Sequence, residues 1–169
     1  MNIKPKYNKK ELQDWFTGKA RTAAGYRRNI VTNSDRSRDA TIVGRMYFFW
    51  YDPKLKDTLP IYDRFPMVFP IERYGDGFLG LNLHYLDYGH RMYLIGMLSG
   101  YANNKKLTPN TRLKLSYDLL SSTKTMSNLS KPCIKRYLFE QVRSKFIEVT
   151  PDEWDKACAL PVELFVEKK

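Results

Sequence analysis

Three aspartates, Asp52, Asp57 and Asp63, come nearest to a catalytic spacing in this chain. Gathered together, three carboxylates would hold Mg²⁺, and the ion would activate water against a phosphodiester. They stand, however, in a connection punctuated by Pro53, Pro60 and Pro66, with Lys54, Lys56 and Arg64 interleaved. Asp52 before Pro53 and Asp63 before Arg64 suit turns and ion pairs, and turn chemistry is the preferred reading. The two histidines, His84 and His90, do not stand at metal-ligand spacing from a cysteine or a carboxylate, so no zinc site is expected. Cys133 and Cys158 form no CxxC pair, which excludes a disulfide framework and points to a reducing compartment. Cys158 falls in an apolar helical stretch, where a thiol packs rather than attacks. Gly75-Asp76-Gly77-Phe78-Leu79-Gly80 looks like a phosphate-binding loop but lacks the lysine and the strand–loop–helix order. It reads as a hairpin turn using positive φ at glycine, with Gly80 at a bulge or a close backbone approach. No catalytic residue, metal, cofactor or small-molecule substrate is therefore expected.

The chemistry that survives is cationic and aromatic. The chain of 169 residues carries a net charge of +11. Residues 1–45 hold eleven lysines and arginines against four acidic residues, which is +7 of that total. Such a segment attracts polyanions by releasing their counterions. Arg21, Arg27, Arg28, Arg36 and Arg38 in that segment, with Lys135 and Arg136 further on, are the expected contacts to DNA or to an acidic partner. Tyr26-Arg27-Arg28, Arg73-Tyr74 and Lys135-Arg136-Tyr137 have the interleaving that stacks on bases and clamps phosphates. The same residue types dominate protein–protein hot spots, so both readings stay open.

The elements that must position these residues are legible in outline. Asn8 and Glu11 form a capping box ahead of a short helix with Leu12, Trp15 and Phe16 on one face. Residues 1–43 read as a basic arm, extended in the assembly, that buries this face against a neighbouring chain. Residues 44–169 read as one α+β domain. Strands are expected at 44–51, at 67–74 (an edge position, because of Pro70) and at 78–86, with Leu79, Leu81 and Leu83 opposite Phe78, Gly80, Asn82 and His84. With C-terminal strands at 146–149 and 162–166 they make a small curled antiparallel sheet or an SH3-like barrel. Three to four helices complete the fold. One is capped by Asp87, carries Met92, Ile95 and Leu98, and ends at Gly100; one starts at Pro109 with Leu113, Tyr117 and Leu120 on a stripe. Another follows Pro132, with Ile134, Tyr137, Leu138 and Val142 inward, and the last follows the Thr150–Glu153 capping box, with Val149 and Trp154 as a staple. No stretch approaches the ~20 apolar residues of a membrane span, and the charged N-terminus is not a secretory signal.

The runs Tyr47-Phe48-Phe49-Trp50-Tyr51-Asp52-Pro53-Lys54, Leu59-Pro60-Ile61-Tyr62-Asp63-Arg64-Phe65-Pro66 and 77–86, with Arg143-Ser144-Lys145-Phe146-Ile147, Glu153-Trp154 and 160–165, carry a family resemblance. Over residues 44–166 the chain resembles small virion structural proteins of large contractile-tailed, T4-like bacteriophages, of DNA end protector or baseplate and neck type. The resemblance implies a non-catalytic part of the particle at the head–neck vertex, portal or tail. It would be made in the host cytoplasm, held among other virion proteins in a multi-copy assembly and in contact with DNA. It supplies no catalytic residues. Two other readings remain: a small metal-dependent nuclease using the three aspartates, and a free nucleic-acid-binding regulator.

Overall fold

The computed structural model describes residues 6–25, 45–59, 61–122, 133–160 and 166–168. Helix α1 spans Lys9–Gly25. Strands β1 (Met46–Phe48), β2 (Ile61–Asp63), β3 (Met67–Arg73) and β4 (Gly77–Asn82) follow, and a 3-10 turn, Leu83–Tyr85, leads to α2 (Tyr88–Ala102) and α3 (Pro109–Ser122). The chain continues through β5 (Ile134–Leu138), β6 (Ile147–Val149), α4 (Trp154–Ala159) and β7 (Val166–Lys168). The fold is α+β. Its main sheet is antiparallel, five strands in the order β5-β4-β3-β1-β6, and β2 pairs separately with β7. The sheet is open, so of the two expected architectures the open sheet holds and the closed barrel does not.

Both faces of this sheet are covered by apolar side chains. Strand alternation sends Met46, Phe48, Met67, Phe69, Ile71 and Leu81 to one side, into a core shared with Leu12, Leu98, Leu120 and Trp154. It sends Tyr47, Phe49, Val68, Phe78 and Tyr137 to the other side, into a smaller and mainly aromatic cluster. Phe49 is the hub there, edge-on to Phe146 at 4.9 Å, Tyr137 at 5.5 Å and Phe78 at 6.0 Å. Edge-to-face pairs add about 0.5–1.5 kcal/mol each beyond their buried area.

Several expectations need correction. The segment after Pro132 is a strand and not a helix: β5 pairs with β4 from Gly77↔Leu138 to Leu81↔Ile134. The 3.6-residue spacing of Ile134, Tyr137 and Leu138 coincides with a two-residue alternation in which Tyr137 is buried and Arg136 exposed. β3 is not at an edge, because it lies between β4 and β1. Pro70 is tolerated because β1 pairs only with Met67 and Val68, and the β3–β4 register shifts between Pro70 and Glu72. α2 continues past Gly100 to Ala102, and Tyr117 on α3 is 45% exposed while Leu120 is fully buried. The helix stripe therefore runs through Ser116 and Leu120. A final strand does occur, as β7 at Val166–Lys168, and residues 162–165 of that expectation lie outside the described residues.

The turn at Gly75–Gly77 exists, but neither glycine has a positive φ. Gly77 is required for another reason: an added Cβ would meet the carbonyl oxygen of Tyr137 at 1.9 Å. At Gly80 the obstacle would be Val68 Cγ1 at 2.2 Å. Gly18, within α1, has nothing near its missing Cβ. Two alanine substitutions should thus move stability in opposite directions. Gly77→Ala is expected to cost about 1–3 kcal/mol by forcing β4 and β5 apart, and Gly18→Ala to add about 1 kcal/mol through helix propensity. Urea denaturation midpoints check both, and a Gly77→Ala protein as stable as the parent would place the β4–β5 contact elsewhere.

Candidate nucleic-acid interface

The apolar face of α1 packs onto the chain's own body. Leu12 is buried in the main core, and Trp15 and Phe16 pack against it, Phe16 edge-on to Phe48 at 5.7 Å. Leu12, Trp15 and Phe16, expected to dock on a neighbouring subunit, thus have partners within the fold, and Trp15 and Phe16 stay partly exposed. The helix begins as read, with Asn8 Oδ1 accepting from Glu11 N at 2.9 Å and Glu11 Oε2 accepting from Asn8 N at 2.8 Å. Polar clamps then fix it to the segment 153–155. Trp15 Nε1 donates to Glu153 Oε1 at 3.1 Å, Lys19 Nζ to Glu153 Oε2 at 3.0 Å, and Tyr7 Oη to Asp155 Oδ2 at 2.7 Å, where Lys6 also binds. These contacts leave Arg21 exposed on the outer side of the helix. Arg27, Arg28, Arg36 and Arg38 lie outside the described residues.

The second cationic pair is at the sheet edge. β5 is an end strand, and the alternation of a strand sends Lys135 and Arg136 to opposite faces of it. Lys135 Nζ stands 4.4 Å from the centre of the Tyr85 ring, and Arg136 Cζ 3.9 Å from that of Tyr74. Arg136 also pairs with Asp76 in the β3–β4 turn. Each cation is thus held against an aromatic face at the rim of the sheet, with its charge still available to solvent. Burial, and secondarily the charge of Asp63, pushes the Tyr85 hydroxyl up to about 12, so this ring remains neutral beneath Lys135.

Behind this edge is a buried polar network that the sequence did not reveal. Asp63 Oδ2 accepts from Asn82 Nδ2 at 3.0 Å and lies 2.5 Å from His84 Nδ1, and Asp63 Oδ1 accepts from Phe65 N at 3.1 Å. Asn82 Nδ2 also reaches Tyr137 Oη at 3.0 Å, and Asn82 Oδ1 accepts from His84 N at 2.9 Å. Asp63, Asn82 and His84 are all at least 95% buried, so the network organises the sheet and meets no substrate. Two residues apart in sequence, Asn82 and His84 did announce a shared side of the strand; their carboxylate partner, 21 residues upstream of His84, had no local signal.

The three aspartates do not converge. Asp63 is spent on this network, while Asp52 pairs with Lys56 at 2.8 Å and with Arg143 at 3.5 Å, which hold its carboxyl below the usual range. Asp57 is exposed. Among the described residues no group of three or more His, Cys, Asp or Glu is placed to hold a metal ion. His90 serves the start of α2, where Asp87 Oδ1 accepts from its N–H at 3.0 Å. Cys133 and Cys158 are buried and unbridged, and burial pushes both thiols up to about 11, so neither is a thiolate at neutral pH. No helix among the described residues is long and apolar enough to cross a membrane.

A family model described as the phage T4 terminal DNA protecting protein matches residues 4–169. The chain belongs to that family. The match includes the basic N-terminal segment as well as the sheet, so the resemblance read over 44–166 extends to nearly the whole chain. This DNA-protecting family is a bacteriophage family and is non-catalytic in kind. No curated protein and no solved structure matches the chain.

The clamps on α1 make its docking acid-sensitive. Burial opposes ionisation of Glu153, but the hydrogen bonds from Lys19, Trp15 and Thr150 outweigh it and hold its carboxyl below the usual glutamate range. Asp155 is lowered in the same way by Lys6 and Tyr7 against its burial. A depressed carboxylate stabilises the fold above its unfolded pKa and loses that contribution as pH falls through the folded value. The protection factors of the α1 amides should therefore be high at pH 7 and fall below about pH 4, ahead of those of the β3 and β4 amides. Glu153→Gln should make α1 exchange faster at pH 7 and flatten the pH dependence; equal protection in both proteins at both pH values would remove Glu153 as the clamp.

Proposed function

We propose that this chain binds the ends of linear duplex DNA in a tailed-phage particle and shields them without catalysing a reaction. The observation that carries this reading is the match to the DNA-protecting family over residues 4–169. The charge distribution supports it. Seven of the eleven net positive charges fall in residues 1–45, and the sheet edge adds Lys135 and Arg136. In this reading Arg21, Arg27, Arg28, Arg36 and Arg38 lie along the phosphate backbone, and the two sheet-edge cations touch the same duplex. Lys135 and Arg136, stacked on Tyr85 and Tyr74, are ordered before DNA arrives, which reduces the entropy lost on binding. The protein is made in the host cytoplasm and carried in the virion, beside other virion proteins in a multi-copy arrangement. Contacts to phosphate carry no sequence information, which suits a protein that must accept whichever sequence the packaged molecule ends in.

End protection is measured by exposing a linear duplex to a processive exonuclease with and without the protein. Protection of the linear molecule, with tighter binding to it than to a closed circle of the same length, is expected. Equal affinity for both and no protection would sink the proposal. Deleting residues 1–40 is unsuitable as a control, because it would remove Leu12 and Ala23 from the core. Alanine at Lys135 and Arg136 together should instead lower the slope of log affinity against log salt by roughly 2, at about 0.9 per phosphate contact on duplex DNA. Alanine at Arg27, Arg28, Arg36 and Arg38 should lower it by up to roughly 4 on the same basis. Replacing Asp52, Asp57 and Asp63 by asparagine should create no loss of a Mg²⁺-dependent cleavage, since none is expected; a cleavage lost on that replacement would overturn the non-catalytic reading.

A further inference from the structure

Helix α2 is apolar on its outer as well as its inner side. Leu94, Ile95 and Leu98 are buried, and the helix packs against α3 and α4. The outward side carries Met92, 44% exposed, and Tyr93, 67% exposed, with Gly96 and Gly100 exposed beside them. No charged residue stands between Met92 and Ala102, in a chain of net charge +11. The adjoining cation, Arg91, is buried, and its Nη1 donates to the Leu160 carbonyl at 2.9 Å. A helix that is apolar all round belongs in an interior, and where one side meets water it marks a surface that another molecule covers.

The charges at the two ends of this helix say what covers it. Along the exposed side itself a polyanion finds no cation, and an acidic partner finds none either. Asp87 is exposed at the N-terminal end of α2, while Lys105 and Lys106 are exposed just past its C-terminal end. A two-fold axis through Gly96 makes residues equally distant from it on its two sides meet. Asp87 of one copy then comes level with Lys105 of the other, Gly89 with Asn103, Met92 with Gly100 and Tyr93 with Ser99. Opposite charges meet at both ends, and a large side chain meets a small one in between. Gly96 and Gly100 have open space where a Cβ would stand, so the two helix axes can approach closely. The antiparallel arrangement also sets the positive end of each helix dipole beside the negative end of the other.

We propose that the exposed side of α2 docks a second copy of this chain, antiparallel and across a two-fold axis at Gly96. Met92 and Tyr93 of each copy cover Gly100 and Ser99 of the other, and the Asp87–Lys105 pairs fix the direction. The 15 residues of α2 make a helix ~22 Å long. One face of that length buries less than the ~800 Å² per partner of a standard interface, so the association belongs to the weak class. It requires no DNA, and it stands or falls apart from the end-binding reading.

The test uses the full-length protein without DNA, in about 0.15 M salt so that the repulsion between two cationic copies is screened beyond ~8 Å. Sedimentation velocity over a concentration series from about 5 to 500 µM, the range of a weak interface, should show monomer passing to dimer. Tyr93→Glu should keep the protein monomeric. Lys105→Glu together with Lys106→Glu should weaken association roughly tenfold, by setting like charges against Asp87. All three positions are exposed, and an unchanged circular-dichroism spectrum shows that each variant keeps the fold. Crosslinking tests the register separately. Gly96→Cys should form an intermolecular disulfide under mild oxidation, because the axis brings the two Cα atoms within the ~7 Å that the bond allows. Asp57→Cys, exposed on another part of the chain, should not, and the native Cys133 and Cys158 are buried. A parent protein that is monomeric throughout, or a dimer that survives Tyr93→Glu, overturns the proposal. So does a Gly96→Cys protein that crosslinks no faster than Asp57→Cys. If the parent stays monomeric and the Met92 and Tyr93 amide resonances shift when duplex DNA is added, the face belongs to the polyanion and the proposal fails.

Discussion

A carboxylate taken out of water must be surrounded by donors, and at Asp63 that requirement reaches across the fold. Its two oxygens are met by Asn82 at the end of β4, by His84 in the following turn and by the amide of Phe65. Asn82 in turn holds Tyr137 on β5. One buried side chain on the small β2–β7 pair thereby fixes that pair to the end of β4 and the turn after it, and through Asn82 to β5. The pairing of β4 with β5 then brings Lys135 and Arg136 to the rim, beside Tyr85 and Tyr74. Removing a single partner would leave a buried charge or amide exposed to an apolar surrounding, so the network rigidifies only when complete.

The sheet is buried on both faces, and this explains how the basic segment is anchored. A face lined by Phe48, Phe69 and Leu81 needs a cover, and α1 supplies part of it through Leu12, Trp15 and Phe16. The polar contacts of Glu153 and Asp155 then set the orientation of α1. Charge and fold are in this way not separate modules. The helix that carries Arg21 outward is the helix that closes the core inward.

The local signals in the sequence were the reliable ones. The capping boxes at Asn8–Glu11 and Thr150–Glu153, the cap at Asp87 and the break at Pro109 all mark real helix starts, because each depends on residues within four positions of one another. The strands from 46 to 48 and from 67 to 82 were legible from β-branched and aromatic runs. Their continuity, Met46 to Phe49 and Met67 to Ile71, reflects burial on both faces rather than the alternation of a half-exposed sheet. What failed was non-local. Five residues from Ile134 satisfy a helical stripe and a strand alternation alike, and only the presence of β4 alongside decides between them. Pro70 signals an edge unless the neighbouring strand is known to stop short. The face of α1 announces that it will be buried, but nothing in it names its cover. Of the candidate interface, the cations and their interleaved tyrosines were visible; the tyrosine under each cation, and the Asp63–His84 contact, were not, since they join residues 21 to 62 positions apart.

Among the described residues the main sheet ends at β5 and β6, and a strand edge left unpaired recruits other strands. At β5 the adjacent side chains are Lys135 and Arg136, and at β6 the outermost residues include Glu148 with Arg45 beside it. A second copy approaching the β5 rim would bring lysine and arginine against lysine and arginine, and like charges at a strand edge oppose pairing. The basic side chains of the β5 rim thus act against edge-to-edge pairing of two copies.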